Sequence, residues 1–367
     1  MGFQSIKFYN FRNIDNDEIN IDAPVIFLIG KNGQGKTNFI EAIYYSCYGS
    51  SFRIRRDKDA IKKGNDLCNI QVKAKDETEL RKIINIKITA NNKKEIQVNS
   101  KKIFDRKILL ENVPCIVFSY EDMSYINGSP EKKRWFFNQT ICLFDILFID
   151  ILRKYKKVLV SRNISLKKRN TDMVKIYNYE LANWGIQIQE KRTLMINEFN
   201  NILSSLFKVI TATDKELRIV YKPSWNEFKN NNEIVMHLDD TINKDIRYMT
   251  TTSGPHRDNF YFFLDNDDFA KFCSTGQIRL VAIILKIAQA KFFLEKRGKK
   301  PILLFDDVLL EMDYLKRKKV MSNLPEYEQA FFTFLPNENF LGFDIKEKMI
   351  YYLENGSVTE WKKQEIF

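Results

Sequence analysis

The segment VIFLIGKNGQGKTNFIEAIYYS runs from Val25 to Ser46 and changes its periodicity within a few residues. Val25 to Ile29 is an apolar run rich in β-branched residues and too short for a helix, so it reads as a buried strand. Next comes GKNGQGKT, of the form G-x-x-x-x-G-K-[ST], with Gly33 as a third glycine between Gly30 and Gly35. Glycines permit the backbone angles that turn successive N–H groups inward and let phosphate oxygens approach the main chain. Gly30, Lys31, Asn32, Gly33, Gln34 and Gly35 are therefore candidates for cradling phosphates. Ile40, Ile43, Tyr44 and Cys47 then recur at helical spacing, and the N-terminus of a helix favours an anion. Lys36 can reach β- and γ-phosphates, and the Thr37 hydroxyl can ligate Mg²⁺. A glycine turn joining any strand to any helix is the plainer alternative. Strand, spacing, Lys-Thr pair and helix all agree instead on a nucleotide site.

Working outward, 367 residues suggest two or three lobes, and 44% hydrophobic residues can build a large core. No apolar run approaches the ~20 residues a membrane span needs. The N-terminus, MGFQSIKFYN, lacks the apolar core of a signal peptide, and Ile6 stands where a myristoylation signal wants Ser or Thr. Five cysteines, at 47, 68, 115, 142 and 273, show neither zinc nor disulfide spacing, so a reduced, cytoplasmic setting is expected. The net charge of +12 permits a polyanionic partner. A chain rich in Lys, Asn and Ile throughout could reach that charge without one.

The pattern divides the chain in three. Residues 1–123 are strand-rich: Ile84, Ile86 and Ile88 alternate with polar residues, and ANNKK before EIQV predicts a hairpin. Residues 124–211 read as an inserted helical lobe. Ile141, Phe144, Phe148, Ile151, Tyr155 and Val158 step by three and four, as do Leu181, Trp184 and Ile188. Helices of about 25 residues span only roughly 40 Å, which predicts a stubby lobe. Residues 212–367 return to strands and carry the remaining chemistry.

In KKPILLFDDVLLEMD, Ile302 to Phe305 reads as a buried strand ending in Asp306-Asp307. A carboxylate there can hold Mg²⁺ beside the phosphate loop, which suits Asp306. A second acid, Asp307, can orient or deprotonate an attacking water. Lys36 and Asp307 are thus the catalytic candidates, and Thr37 and Asp306 the metal candidates. Upstream, CSTGQIRLVAIILKIAQAKFFLE places Ser274 and Gln277 as an S-x-x-Q capping box opening a buried helix. A serine hydroxyl, the Gly276 backbone and a helix start together offer a second phosphate-binding surface.

Order and spacing resemble the ABC/SMC class of ATPases: phosphate loop, inserted lobe, S-x-G-Q signature, then D-D and a D-loop. Within that class the chain resembles the RecF family of bacterial recombination and replication-repair proteins. NFRN (Asn10 to Asn13), GKTNFIEAIYY, SSFRIRRD (Ser51 to Asp57), VFSYEDMSYINGSPEKKR (Val117 to Arg134) and SGPHRDN (Ser253 to Asn259) carry the similarity over nearly the whole chain. Departures are Tyr120 for the usual Pro, Asn259 for Asp, Ile278 for Gln, and Leu310 for the D-loop Ser. FFTFLPNE (Phe331 to Glu338) keeps only Thr333 of a threonine run.

The resemblance implies an α/β fold, an ABC/SMC-type P-loop ATPase head with an inserted α-helical lobe. It implies ATP sandwiched between two protomers, with Ser274, Gly276 and Gln277 of one copy completing the site held by Lys36 of the other. Arg12 would add a cation near the nucleotide. The activity implied is a slow ATPase using ATP as a dimerisation switch. The implied role is a clamp in DNA repair and the SOS response. It would bind DNA without sequence preference, at gaps or single-strand/double-strand junctions, acting with RecR and RecO to load RecA. Arg53, Arg55 and Arg56 are the first candidates for DNA phosphates, among basic clusters that are usually solvated faces. The alternative is a stand-alone P-loop phosphotransferase or NTPase not acting on DNA. A GTPase would need N-K-x-D, and Asn243-Lys244-Asp245-Ile246 fails at its fourth position. A transporter ATPase would carry a histidine after the D-loop, and none follows His256.

Overall fold

Residues 2–75, 80–310, 312–338 and 347–361 are described by the computed structural model. The chain divides into two units, residues 1–120 with 298–367, and residues 121–297.

In the first unit, Val25–Ile29 is buried at every position. A strand apolar on both sides needs cover on both faces, which is the condition of a parallel sheet. It lies inside a six-stranded sheet ordered Ser357–Glu360, Lys348–Glu354, Val25–Ile29, Gln329–Phe334, Ile302–Phe305, Cys115–Phe118. All neighbours in it run parallel except the hairpin of the first two. The second sheet is antiparallel: Glu18–Asn20, Gly2–Tyr9, Leu67–Lys75, Arg81–Thr89, Lys94–Val98, Lys101–Lys102. Its alternating isoleucines put one face inward, and the expected hairpin forms with Ile86 opposite Ile96. The helix Lys36–Tyr48 contacts strands of both sheets. One apolar cluster joins Phe39, Ile40 and Ile43 of that helix to Ile26 and Leu28 of one sheet and Ile70, Ile84 and Ile86 of the other. Each such side chain buried contributes roughly 1.5–3 kcal/mol, so the helix that starts at the phosphate loop is firmly seated.

The second unit is built on Thr171–Thr211, a helix of 41 residues. At 1.5 Å per residue it spans about 60 Å, longer than the stubby elements expected from the sequence. Gly185 does not break it. A β-carbon there would stand 2.4 Å from the Trp225 ring, so the glycine admits a close contact. Phe148–Lys167, Asn231–Asp240 and Thr275–Arg297 pack against this helix, as does the strand Leu217–Lys222. That strand pairs with Asn259–Leu264 in a three-stranded antiparallel sheet. Because of these contacts, residues 212–297 cluster with the helices. The sequence division at 211 had grouped them with the phosphate-loop half instead.

Within this unit, SGPHRDN forms a structural corner. His256 accepts from the Tyr155 hydroxyl at Nδ1 (2.7 Å), and its Nε2 donates to the Thr251 carbonyl (3.0 Å). Asp258 is fully buried and takes Arg192 Nη1 (2.6 Å), Gln189 Nε2 (2.7 Å), the Ser224 N–H (2.8 Å) and the Tyr221 hydroxyl. A buried charge survives only when so paired.

Candidate functional site

The parallel sheet sets the stage, because Val25–Ile29, Gln329–Phe334 and Ile302–Phe305 are neighbours and end together. Beyond the first strand, Gly33 and Gly35 adopt φ of 80° and 116°, values that L side chains rarely adopt. A β-carbon on Gly30 would meet the Leu353 carbonyl oxygen at 2.6 Å. The loop is thus glycine-shaped for a close approach to its backbone. Asn13 of NFRN binds it from outside: its Nδ2 donates to the Gly33 carbonyl (3.3 Å), and its Oδ1 accepts from Asn38 Nδ2 (2.7 Å). Gln34 accepts the Asn355 N–H (2.5 Å), while Lys31 and Asn32 are exposed at the tip.

Lys36 is buried and curls over the loop. Its Nζ donates to the Gly30 carbonyl (2.7 Å) and stands 4.0 Å from Asp307 Oδ1. The Thr37 hydroxyl donates to Asp306 Oδ1 (2.8 Å) across 269 positions of sequence. Burial, with Asp307 as a lesser contributor, pushes the Asp306 carboxyl up to about 6, against the pull of the Thr37 hydrogen bond. Asp307 has φ of 53° and is held by Thr333 of the middle strand. Lys36, Thr37, Asp306 and Asp307 are therefore brought together as expected.

Other candidates are placed differently. Arg12 grips Glu41 of the phosphate-loop helix with Nε (3.0 Å) and Nη2 (2.9 Å), and its Nη1 donates to the Asp59 carbonyl (2.8 Å). Its charge is already matched by a fully buried carboxylate. Arg53 leans onto the same helix, donating to Asn38 Oδ1 (3.0 Å) and standing 3.7 Å from Glu41. Arg56 pairs with Asp59 (3.2 Å), and Arg55 is exposed. Of LEMD, Glu311 lies outside the described residues, and Asp313 caps the helix Tyr314–Ser322 by accepting the Lys316 N–H (2.9 Å).

In the second unit, the capping box closes in both directions. The Ser274 N–H donates to Gln277 Oε1 (2.9 Å) and the Gln277 N–H to Ser274 Oγ (3.3 Å). Ser274, Gly276 and Gln277 are all exposed, and a β-carbon on Gly276 would meet nothing within 4 Å. The S-x-G-Q turn is thus open to solvent.

Sequence reasoning missed Glu41 and Glu338, and met Thr333 only as the remnant of a threonine run. Glu41 and Thr333 carried a signal, each a lone polar residue in an apolar run that came out buried. Glu338 has a buried Oε2 without a hydrogen-bond partner, and burial raises its carboxyl despite the cations of Arg317 and Lys36 nearby.

A family model described as "RecF/RecN/SMC N terminal domain" matches residues 3–344. The DNA replication and repair protein RecF of Treponema pallidum is 34% identical over 351 residues, covering 96% of this chain and 99% of the relative. RecF of Clostridium botulinum (strain ATCC 19397 / Type A) is 32% identical over 364 residues, covering 98% and 99%. Among solved structures, one described as the recombination mediator protein RecF with ATP in the RecFOR pathway superposes with a TM-score of 0.87. It is 26% identical and covers 98% of each chain. An SMC head bound to the C-terminal winged-helix domain of ScpA shares the fold, at a TM-score of 0.60 and 13% identity. Two full-length relatives above 30% identity and a family model spanning nearly the whole chain agree: this chain belongs to the RecF family of DNA replication and repair proteins.

Proposed function

We propose that the chain is an ATP-dependent DNA-binding protein of recombinational repair and replication restart that dimerises around ATP. The observation that supports this most is the convergence of Lys36, Thr37, Asp306 and Asp307 at the ends of neighbouring strands, with an open S-x-G-Q surface on the same chain.

The residues fit ATP and Mg²⁺. The loop from Gly30 to Gly35, with Lys31, Asn32, Gly33 and Gln34 between, would take phosphate oxygens on backbone N–H groups. Lys36 would exchange its Gly30 carbonyl for the β- and γ-phosphates. Thr37 and Asp306 form a hard-oxygen pair that suits Mg²⁺, which keeps several waters and needs few protein ligands. No cluster of three or more His, Cys, Asp or Glu suited to a metal occurs among the described residues. When bound, Mg²⁺ would neutralise charge that develops on the phosphates. Asp307 would accept the proton of the attacking water. Ser274, Gly276 and Gln277 of a second copy would complete the site, so ATP would act as glue and its slow hydrolysis as release. Arg12 would act from behind, by fixing Glu41 and the phosphate-loop helix.

DNA would be met through its backbone, first by Arg55, with Arg53 and Arg56 beside it. The pathway printed for the solved RecF structure, RecFOR, supports recombination partners; RecR and RecO would act with the chain, and loading of RecA on gapped DNA would be the outcome. No helix among the described residues is long and apolar enough to cross a membrane.

Sedimentation with ATP and a gapped duplex tests the reading. A dimer should form with ATP and co-sediment with DNA. Affinity should fall with salt at a log–log slope of several units, about 0.9 per phosphate neutralised. A flat salt response would remove the DNA assignment.

A further inference from the structure

Thr333 stands on Gln329–Phe334, the strand between the phosphate-loop strand Val25–Ile29 and the acid-bearing strand Ile302–Phe305. It is 3% exposed, in a strand whose other residues are almost all apolar. Its hydroxyl accepts the backbone N–H of Asp307 (2.7 Å) and lies 2.6 Å from Asp307 Oδ1 and 3.3 Å from the Phe305 carbonyl. A hydroxyl has one proton to give. The nearer, charged oxygen takes it, so Thr333 receives from the main chain of Asp307 and donates to its side chain. Asp307 meanwhile sits at φ 53°, in the left-handed region. Such conformations persist where the surroundings over-determine them and concentrate at functional sites.

We propose that Thr333 is a positioning residue for hydrolysis, fixing the backbone and carboxylate of Asp307 as one rigid unit. The inference rests on reading Asp307 as the base. In that step the oxygen of water bonds to the terminal phosphorus while the bond to the bridging oxygen breaks. The electron pair leaves on ADP, and the water's proton passes to the Asp307 carboxylate. A base contributes only when it is within hydrogen-bond reach and correctly aimed. The Thr333 hydroxyl fixes the aim by holding Oδ1 while the N–H contact holds the main chain. Its place is set by the sheet: Phe332 pairs with Phe305 on one side and Phe27 on the other, so the next residue overlooks the end of the acid-bearing strand.

The test compares Thr333→Val, which keeps the shape and removes the hydroxyl, with Thr333→Ser, which restores it. Single-turnover ATP hydrolysis, ATP affinity and ATP-dependent dimerisation are measured on the full chain. The valine variant is expected to lose about 10- to 100-fold in rate, with affinity within about threefold of wild type and dimerisation intact. The serine variant should stay within about threefold in rate. Thr333→Ala gives the same comparison if the valine variant does not fold. A valine variant at wild-type rate, a loss confined to ATP affinity, or a serine variant as slow as valine would each overturn the inference. Asp307→Asn separates the two levels. If it hydrolyses ATP like wild type, the reading of Asp307 as base fails. If it is inactive while Thr333→Val is fully active, only the role of Thr333 fails.

Discussion

Asp306 carries a charge that its buried position does not welcome. Its folded pKa, about 6, lies above the ordinary 3.8 because of burial. Between those values the folded chain binds more protons than the unfolded one, so this group's contribution to stability is lost as pH rises through about 6. Asp306→Asn should therefore stabilise the chain without Mg²⁺ or ATP at pH 7.5, by about 1–3 kcal/mol. The gain should shrink towards zero as pH falls below about 4, as followed by urea unfolding. A variant equal to or weaker than wild type at pH 7.5 would count against the geometry. The glycines offer a graded comparison. Gly33 and Gly35 both have positive φ, but only at Gly35 would a β-carbon also crowd Asn13 Oδ1, at 3.2 Å. Gly35→Ala should thus weaken ATP binding at least tenfold, and clearly more than Gly33→Ala, by titration calorimetry. At this scale the phosphate loop was legible because its chemistry is contiguous in sequence. The grip of Arg12 on Glu41 was not, because Glu41 is 29 positions away and buried on another element.

Elements were legible in proportion to how local their causes are. The strand Val25–Ile29, the hairpin over ANNKK and the capping box at Ser274 each follow from neighbouring residues and stand as read. The 41-residue helix was underestimated because the apolar stripe read from the sequence begins at Leu181, ten residues after the helix itself begins at Thr171. Grouping 212–297 with the helices depends on the packing of Thr275–Arg297 against Thr171–Thr211, which is distant in sequence. The corner at SGPHRDN couples such elements and has a pH signature. Burial depresses His256 to about 4 from its ordinary 6.5, so the folded chain keeps it neutral where the unfolded chain would protonate it. Its contribution is fully present above about 6.5 and is lost as pH falls towards 4. His256→Gln should flatten the stability profile over that window by on the order of 3 kcal/mol, read by urea midpoints at several pH values. An unchanged slope would show that this ring titrates normally.

Over the whole molecule, a net charge of +12 suits a polyanion, while Arg53 and Arg56 already have partners of their own. Charge alone therefore says less about DNA than family membership does. The phosphate loop and the open signature belong to different units of one chain, and the proposed dimer would place them in opposite halves of a shared site. A mixing experiment addresses that assignment. Lys36→Met spoils the loop and spares the signature, whereas Ser274→Arg spoils the signature and spares the loop. Each variant alone is expected to stay monomeric with ATP, while an equimolar mixture regains one intact composite site. The most direct measurement is analytical ultracentrifugation of the two variants, separately and mixed, with and without ATP. An ATP-dependent dimer is expected only in the mixture. Ser274→Arg dimerising with ATP on its own as wild type does, or a mixture as monomeric as its parts, would contradict the shared site.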